Sequence, residues 1–243
     1  MARYAMVIDT ERCVGCQSCT VACKSEWDVP NGDARTKVRP AGVKGTYPNF
    51  TSTFFVSQCN HCDRASCLAA CPTGATWQDE NGIVRVNKQL CIGCGSCVAA
   101  CPYNARYINS SKGVVDKCDF CASRFEKGLD PACVATCPGK AKIFGNLEDT
   151  NSAVFNLVYH QGANRIETRD VAIGPNVYYV GQPEHVELAA AAFPPRRPFT
   201  IAAERVWSRL AKKAVLLAVG ATFLGQAVAF FRQLNEGEKQ FED

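Results

Sequence analysis

Signatures of catalysis and of nucleotide binding are absent from this chain of 243 residues. It has no Ser-His-Asp set, no phosphate-binding loop and no dinucleotide fingerprint. Histidine occurs only three times, and neither His160 nor His185 has the spacing of a metal ligand. The net charge of +4 comes from scattered lysine and arginine residues without a nucleic-acid-binding motif, so it does not indicate a nucleic-acid partner. These absences predict a chain that turns over no substrate of its own.

An export signal is also missing from the sequence. Neither a secretory hydrophobic segment nor a twin-arginine motif precedes residues 4–9, which have the apolar pattern of a short strand. We therefore expect the chain to carry no export address of its own.

Cysteine, in contrast, is abundant: the chain has sixteen, and none lies outside four groups of four. The first and third groups have the spacing C-x2-C-x2-C-x3-C, by which bacterial ferredoxins hold cubane clusters. The second and fourth groups lengthen the middle interval to four and eleven residues. The groups are Cys13, Cys16, Cys19, Cys23; Cys59, Cys62, Cys67, Cys71; Cys91, Cys94, Cys97, Cys101; and Cys118, Cys121, Cys133, Cys137.

Three chemistries compete for these thiols. Disulfides are disfavoured, because cysteines three residues apart bridge one another poorly. Structural zinc uses C-x2-C pairs that are set apart, whereas the first and third groups each place four thiols within eleven residues. The pattern therefore indicates iron–sulfur chemistry. Sixteen iron ligands at four per cluster predict four [4Fe-4S] clusters.

The spacing also predicts that the motifs work in pairs. Three thiolates at two-residue intervals reach three corners of one cube, and the fourth cysteine faces away toward a second cluster. A block C-P-x-x-A recurs at Cys71, Cys101 and Cys137, which indicates duplicated ferredoxin halves. We predict an α+β fold with two interleaved ferredoxin-like 2[4Fe-4S] modules.

The composition changes along the chain. Residues 1–150 form the predicted tandem four-cluster domain, in which residues 24–52 are rich in glycine, proline and charge and predict a loop. Strand patterns occur at residues 54–56 and 83–86. Residues 151–198 have no cysteine, and we interpret them as an extension that packs on the cluster domain and ends in a stiff proline-rich connector.

Residues 199–243 contain a long apolar run and a short tail. Residues 214–231 carry no charge and are bounded by Lys212, Lys213 and Arg232. At a helical rise of about 1.5 Å per residue they would span roughly 27 Å, near the short end for crossing a bilayer. A buried core helix is the alternative, but the flanking charges favour a transmembrane anchor. Small residues along one face favour packing against another membrane helix.

Four short runs resemble a known family. They are C-V-G-C-Q-S-C at residues 13–19, C-N-H-C at 59–62, D-K-C-D-F-C at 116–121 and G-L-D-P-A-C at 128–133. They closely resemble the four-cluster iron–sulfur subunits of molybdopterin oxidoreductases, which include subunits of dimethyl sulfoxide reductase, polysulfide reductase, membrane-bound formate dehydrogenase and menaquinone-reducing complexes. The resemblance is strong over residues 1–150.

This resemblance implies a function and partners. The chain would be a non-catalytic electron-transfer subunit of a membrane-bound complex of anaerobic respiration. It would lie between a molybdopterin-family catalytic or catalytic-like subunit and an integral membrane subunit that interacts with quinone, of the cytochrome b or polysulfide-reductase type. The added carboxyl-terminal helix is most similar to that of the formate dehydrogenase branch.

The resemblance further implies that the first motif works with the fourth and the second with the third. We name the resulting ligand sets A to D. Set A is Cys13, Cys16, Cys19 and Cys137, and set B is Cys23, Cys118, Cys121 and Cys133. Set C is Cys59, Cys62, Cys67 and Cys101, and set D is Cys71, Cys91, Cys94 and Cys97.

Other polar residues near the motifs have two interpretations. His61 lies within the second motif and could replace a thiolate, but four thiolates are already available, so we expect it to pack or to act through the cysteines. Lys88, Lys117 and Lys140 could raise cluster potentials by lowering the local negative charge, or they could be solvated surface residues.

The membrane topology is open between two orientations. More lysine and arginine residues precede the apolar run than follow it, which by the positive-inside rule favours a cytoplasmic cluster domain, as does the missing export signal. The resemblance to formate dehydrogenase implies export together with a signal-bearing partner. We expect a single-pass protein of the inner membrane with its cluster domain on the periplasmic face.

Two classes of function fit the sequence. The first is a relay that passes single electrons between a partner's active site and the quinone pool. The second is a stand-alone multi-cluster ferredoxin-like carrier, or a redox-sensing or structural protein. The predicted docking helix favours the first.

Overall fold

The computed structural model describes residues 2–167, 172–192, 217–218 and 220–233. The chain divides into two compact units, residues 1–197 and 198–243. The described strands of the first unit are β1 (Tyr4–Asp9), β2 (Thr36–Thr46), β3 (Asn49–Gln58), β4 (Thr76–Gln78), β5 (Val84–Val86), β6 (Arg106–Ile108), β7 (Val115–Lys117), β8 (Lys142–Asn146), β9 (Asn164–Arg165) and β10 (Val177–Val180). Its described helices are α1 (Ser18–Trp27), α2 (Ser66–Ala69), α3 (Ser96–Ala99), α4 (Ala122–Phe125), α5 (Ala132–Ala135), α6 (Ala153–Tyr159) and α7 (Pro183–Ala191).

The strand β1 is an inner strand of a four-stranded sheet with the order β8-β1-β10-β9. It pairs antiparallel with β8 and parallel with β10, and four successive residues from Ala5 to Ile8 are fully buried. An inner strand covered on both faces needs such a continuous apolar run. The prediction of a strand at residues 4–9 is confirmed. The mixture of small sheets and short helices is the α and β content that the cysteine repeat predicts.

Three antiparallel hairpins accompany this sheet: β2–β3, β4–β5 and β6–β7. The strand predictions at residues 54–56 and 83–86 fall in β3 and at β5. The prediction of a loop over residues 24–52 is wrong, because the end of α1, all of β2 and the start of β3 lie there. Glycine and proline obscure the alternation of apolar and polar residues in this hairpin, whose register shifts between Pro40 and Val43.

Residues 151–167 and 172–192 are built into the first unit through β9, β10 and two helices. Tyr178 and Tyr179 in β10 are buried, and the Tyr179 hydroxyl donates a hydrogen bond to the Val56 carbonyl of β3 at 2.8 Å. The helix α7 packs on the β2–β3 hairpin. This segment therefore supplies an inner strand of the main sheet and a cover for the long hairpin.

In the second unit, residues 217–218 and 220–233 are helical. Across the described part of the chain, no helix has both the length and the apolar character needed to cross a membrane. The predicted span at 214–231 includes residues 214–216 and 219, which lie outside the described residues, so the span stays a prediction.

Candidate metal centres

Each C-x2-C pair closes a turn whose third residue has a positive φ. This residue is Gly15 (φ +68°) in the first motif and Gly93 (φ +67°) in the third. In the second and fourth motifs it is His61 (φ +45°) and Phe120 (φ +57°). A left-handed residue curls the backbone so that amide groups line a concavity suited to anions, and the Phe120 N–H donates to Cys118 Sγ at 3.4 Å. The four motifs thus share a turn that stabilises thiolate charge.

The third cysteine of every motif is the second residue of a helix. These cysteines are Cys19 in α1, Cys67 in α2, Cys97 in α3 and Cys133 in α5. The fourth cysteine follows four residues later, so the same short element directs two thiols to different places. The local repeat that the C-P-x-x-A block predicts is therefore present in the backbone.

One difference between motifs has a simple cause. The first motif has the same cysteine spacing as the third, yet α1 runs for 10 residues and α3 for 4. Pro102 follows Cys101, and proline cannot continue the hydrogen bonding of a helix. Lys24 stands at the corresponding place after Cys23, so α1 extends to Trp27. Because α1 is longer, an indole reaches the fourth motif.

The first cavity collects the predicted set A. Its walls include all four cysteines of that set, together with Gly15 and Lys142. Cys137 comes from the fourth motif, 118 residues after Cys19. Cys137 lies beside the first motif because of strand pairing. The strand β8 follows Cys137 in the sequence and pairs with β1, which precedes the first motif.

A second cavity collects set B. Its walls include Cys23, Cys118, Cys121 and Cys133, together with Trp27 and Arg35. Burial raises the pKa of Cys23 to about 12, and the neighbouring thiols Cys133 and Cys121 contribute to this increase. Such mutual repulsion arises only among thiols that lie close together.

The thiols of set C are also close neighbours. Burial raises the pKa of Cys62, and nearby Cys59, Cys101 and Cys67 raise it further. In set D, Cys91 and Cys97 pack in one apolar cluster with Cys67 of set C. The other two members of set D, Cys71 and Cys94, are half-buried: Cys71 Sγ lies 3.8 Å from Thr73 Oγ1, and Cys94 Sγ lies 3.4 Å from Ser96 Oγ.

The thiols of sets A and B line cavities and do not meet at a position where a single metal ion would lie. In the part of the chain that the structure describes, no three His, Cys, Asp or Glu side chains are close enough together to hold a single metal ion. Four thiols around a cavity, lined by backbone amides, fit a cluster whose irons occupy the corners of a cube. The residues of sets A and B therefore fit a [4Fe-4S] group.

The four ligand sets differ in the solvent exposure of their cysteines. All eight cysteines of sets B and C are buried. In set A, by contrast, Cys16 is exposed and Cys13 and Cys137 are half-buried, and in set D three of the four cysteines are half-buried. Sets A and D are thus the ones whose thiols reach the protein surface.

Buried cations lie between neighbouring sets. Although burial alone lowers the pKa of Lys142, the thiols of Cys133, Cys19, Cys118 and Cys23 raise it above its ordinary value. Lys142 is thus surrounded by thiols of both set A and set B. A buried ammonium group needs such negative neighbours.

Arg106 occupies the equivalent position between sets C and D. Burial lowers its pKa, but the thiols of Cys67, Cys97 and Cys59 raise it above the ordinary value. Its Nη1 donates to Thr76 Oγ1 at 3.0 Å, and the guanidinium also donates a hydrogen bond to the Cys97 thiol. A buried guanidinium beside thiols fits an anionic group at this place.

The three lysines near the cysteine motifs differ in burial. Lys117 is buried, and its Nζ donates to the carbonyls of Val84 and Cys118. Lys88 and Lys140 are exposed. Sequence reasoning missed Lys142 and Arg106, because their closeness to the thiols depends on pairing between distant strands; their position just after a C-P-x-x-A block was the available signal.

His61 has a packing role that the sequence left open. Its ring is fully buried, stacks on Phe120 with centroids 3.8 Å apart, and accepts a hydrogen bond from the Val84 N–H through Nδ1 at 3.0 Å. Burial lowers the pKa of His61 well below its usual value, and Lys117 lowers it further, so the ring is neutral. The stack joins the turn of the second motif, in set C, to that of the fourth, in set B.

Comparison with known proteins identifies the cofactor class. The model of the 4Fe-4S dicluster domain matches residues 50–147, and that of the 4Fe-4S binding domain matches residues 4–25. The prediction of 4Fe-4S clusters is therefore confirmed, whereas the matches do not test their number.

Several curated relatives share most of their length with this chain. It is 44% identical over 181 residues to a tetrathionate reductase subunit of Salmonella typhimurium, covering 74% of this chain and 72% of the relative. It is 49% identical over 150 residues to the thiosulfate reductase electron transfer subunit of Salmonella typhi, covering 61% and 78%. It is 38% identical over 209 residues to a Halobacterium salinarum protein named as a dimethyl sulfoxide reductase iron–sulfur subunit, covering 74% and 79%.

Proposed function

The chain belongs to the family of iron–sulfur electron-transfer subunits of molybdopterin-type oxidoreductases, and from this premise we propose that it is a four-cluster electron relay without catalytic activity of its own. Sets A, B, C and D would each hold one [4Fe-4S] cluster. When bound, each cluster would supply one-electron redox chemistry. The relay would run between a molybdopterin-family catalytic or catalytic-like subunit and a quinone-interacting membrane subunit.

One observation carries this proposal: the thiols of sets A and D reach the surface, while those of sets B and C are buried. A relay needs access for partners at its two ends and insulation between them. The contacts support the order A, B, C, D, because Lys142 lies among thiols of sets A and B, the His61–Phe120 stack joins sets B and C, and Arg106 lies among thiols of sets C and D.

The protein's own residues would set the reduction potentials of the clusters. The cysteines hold the iron, the left-handed turns direct amide N–H groups at sulfur, and the buried cations offset negative charge. No acid–base residue is needed for this role, because no bond to a substrate is made or broken. The chain would determine the reduction potentials of its clusters, and a partner subunit would catalyse the reaction.

We propose that residues 214–231 attach the chain to the inner membrane as a single span, with the cluster domain on the periplasmic face. The charge-free sequence between Lys213 and Arg232 supports attachment. Protease treatment of spheroplasts tests the orientation, with a periplasmic protein and a cytoplasmic protein as controls. Digestion of the cluster domain in intact spheroplasts is expected, and its protection until lysis would contradict this orientation.

Purification tests the relay itself. A tagged chain isolated anaerobically from membranes in mild detergent should bring with it a large molybdopterin-containing subunit and an integral membrane subunit. Adding tetrathionate, thiosulfate or dimethyl sulfoxide in turn to the dithionite-reduced complex should reoxidise the clusters with at least one of these acceptors. Release of the chain from these membranes as a cluster-filled monomer, with neither partner attached although both are expressed, would favour the stand-alone carrier.

A further inference from the structure

The indole of Trp27 makes an unusual contact with a thiol. Its Nε1 donates a hydrogen bond to Cys121 Sγ at 3.2 Å, across 94 residues of sequence. Other groups near cysteine sulfur are of different kinds: the amide of Phe120 donates to Cys118, and the Ser18 and Ser96 hydroxyls lie 3.4 Å from Cys16 and Cys94. Trp27 thus adds a side-chain donor from a different motif to a thiol of set B.

A buried ion-pair network holds the indole in place. The Arg35 guanidinium lies over the Trp27 ring, 4.4 Å from its centroid. Its Nη2 and Nε donate to the two carboxylate oxygens of Asp116 at 2.7 and 3.2 Å, and its Nη1 lies 3.4 Å from Asp119 Oδ1. The Tyr107 hydroxyl also donates to Asp116, at 2.8 Å. A bidentate, buried pair fixes the guanidinium plane, and the stacked indole is fixed with it.

Trp27 and Arg35 both line the cavity that is surrounded by set B. A hydrogen bond to a ligand sulfur is stronger when the sulfur carries more negative charge. One-electron reduction adds a negative charge to a cluster, so a donor at a ligand sulfur stabilises the reduced form and raises the reduction potential. No covalent bond forms or breaks in this step, and the indole keeps its proton.

We propose that Trp27 is a positioning residue that sets the reduction potential of the set B cluster above the value its cysteines alone would give. The proposal rests on the assignment of Cys121 to that cluster in the proposed function. Because set B lies second in the order of sets, its potential would help to determine how readily an electron passes between the surface-reaching set A and the buried set C.

An EPR-monitored redox titration of the anaerobically purified complex tests the proposal with Trp27→Phe. Phenylalanine keeps a ring beneath Arg35 but has no N–H group. We expect one cluster potential to fall by an amount on the order of a tenfold change in the ratio of reduced to oxidised cluster, which is about 59 mV for one electron. The other potentials should stay unchanged. Trp77→Phe is the matched control, because Trp77 lies in β4, is 45% exposed and does not line the set B cavity.

The sign of the shift separates this effect from simple loosening of the site. Entry of water beside the cluster would stabilise its charged reduced form and raise the potential. A potential that is unchanged or higher in Trp27→Phe, with the cluster retained, would overturn the proposal. Cys121→Ser identifies the signal, since it should alter the same EPR component; if it altered none, the ligand assignment of set B would fail instead, and this proposal with it.

A measurement on the unaltered protein covers the case in which the variant loses its cluster. Labelling tryptophan with ¹⁵N in the indole ring should produce a nitrogen coupling on the reduced set B cluster in pulsed EPR, because the N–H···S bond transmits spin density. Absence of any indole nitrogen coupling from a fully reduced, labelled complex would also overturn the proposal.

Discussion

At the residue scale, the pairing of buried cations with buried thiols is the feature that most needs a physical explanation. Transfer of an ammonium group into a protein interior costs several kcal/mol unless negative charge compensates it. Lys142 Nζ donates to the neutral amide oxygen of Gln58 at 2.6 Å, so that bond alone does not supply the compensation. The surrounding thiols of sets A and B do so when they carry the negative charge of bound clusters.

Lys142→Met tests this compensation. Removing the buried positive charge should destabilise the reduced form of both neighbouring clusters and lower both potentials, by an amount on the order of the 60 mV that correspond to a tenfold change for one electron. The measurement is an EPR-monitored titration. Lys140→Met provides the control, because Lys140 is exposed, and its loss should leave the potentials almost unchanged. Intact clusters with unaltered potentials in Lys142→Met would refute the charge-balance argument.

Cysteine spacing identifies the candidate ligands, but it does not reveal the residues that surround them. Cysteine spacing identifies ligands because the chemistry of a cubane cluster dictates it. The position of Lys142 is not visible in the same way, because Lys142 reaches Cys19 and Cys23 only through the pairing of β8 with β1, in which it lies opposite Ile8. The neutral, stacked state of His61 likewise depends on Phe120, which is 59 residues away along the chain.

At the element scale, the left-handed turn is the unit that makes each motif work. In the third motif it has little space, because a Cβ added to Gly93 would collide with the carbonyl oxygen of Gly113 in the neighbouring β6–β7 hairpin. Gly113 has nearly the same φ, +68° compared with +67°, but open space around its own Cβ position. A comparison of alanine substitutions at the two glycines therefore distinguishes the effect of backbone strain from the effect of a steric collision.

Gly93→Ala should disrupt the loop between Cys91 and Cys94 and lower the occupancy of set D, so that iron per chain falls by up to a quarter of its full value. Gly113→Ala should keep all the iron and lose only about 1 kcal/mol of stability through its left-handed φ. Iron analysis together with chemical denaturation of both variants provides the comparison. Equal iron contents in the two variants would mean that the close contact with Gly113 is unimportant for the cluster.

Secondary-structure elements were predictable where a short stretch of sequence alone determines the conformation. The apolar run at residues 4–9 and the strand patterns at 54–56 and 83–86 needed no distant partner to be recognised. The β2–β3 hairpin was missed because its glycines and Pro40 are typical of loops, and only pairing between its two long strands makes them β-structure. The strand β10 depends in the same way on β1, its parallel neighbour.

At the scale of the whole molecule, the chain has two compact units with different expected tasks. The first, residues 1–197, contains every cysteine, and the second, residues 198–243, contains the predicted anchor. Because β10 and α7 belong to the first unit, a boundary at residue 150 would cut through the main sheet, whereas one at residue 197 would not.

A chain that ends at residue 197 should therefore keep its clusters and lose its membrane attachment. We expect its absorbance near 400 nm per chain to match that of the full-length protein, and the truncated protein to remain in the supernatant when membranes are sedimented. A chain that ends at residue 150 is the contrasting variant and should lose clusters, because β1 loses its parallel partner. Retention of the first variant in the membrane fraction, after a salt wash, would contradict anchoring by residues 214–231.

We infer that the sixteen cysteines hold four [4Fe-4S] clusters, each of which accepts one electron. Anaerobic coulometric titration of the ⁵⁷Fe-enriched chain, expressed without its partner subunits and purified in detergent, followed by Mössbauer spectroscopy, measures the number of electrons and the cluster type on the same sample. We expect about four electrons and about sixteen iron ions per chain, all in cubane clusters. Uptake of about two electrons with half of the iron, or zinc bound at any of the four sets, would contradict it.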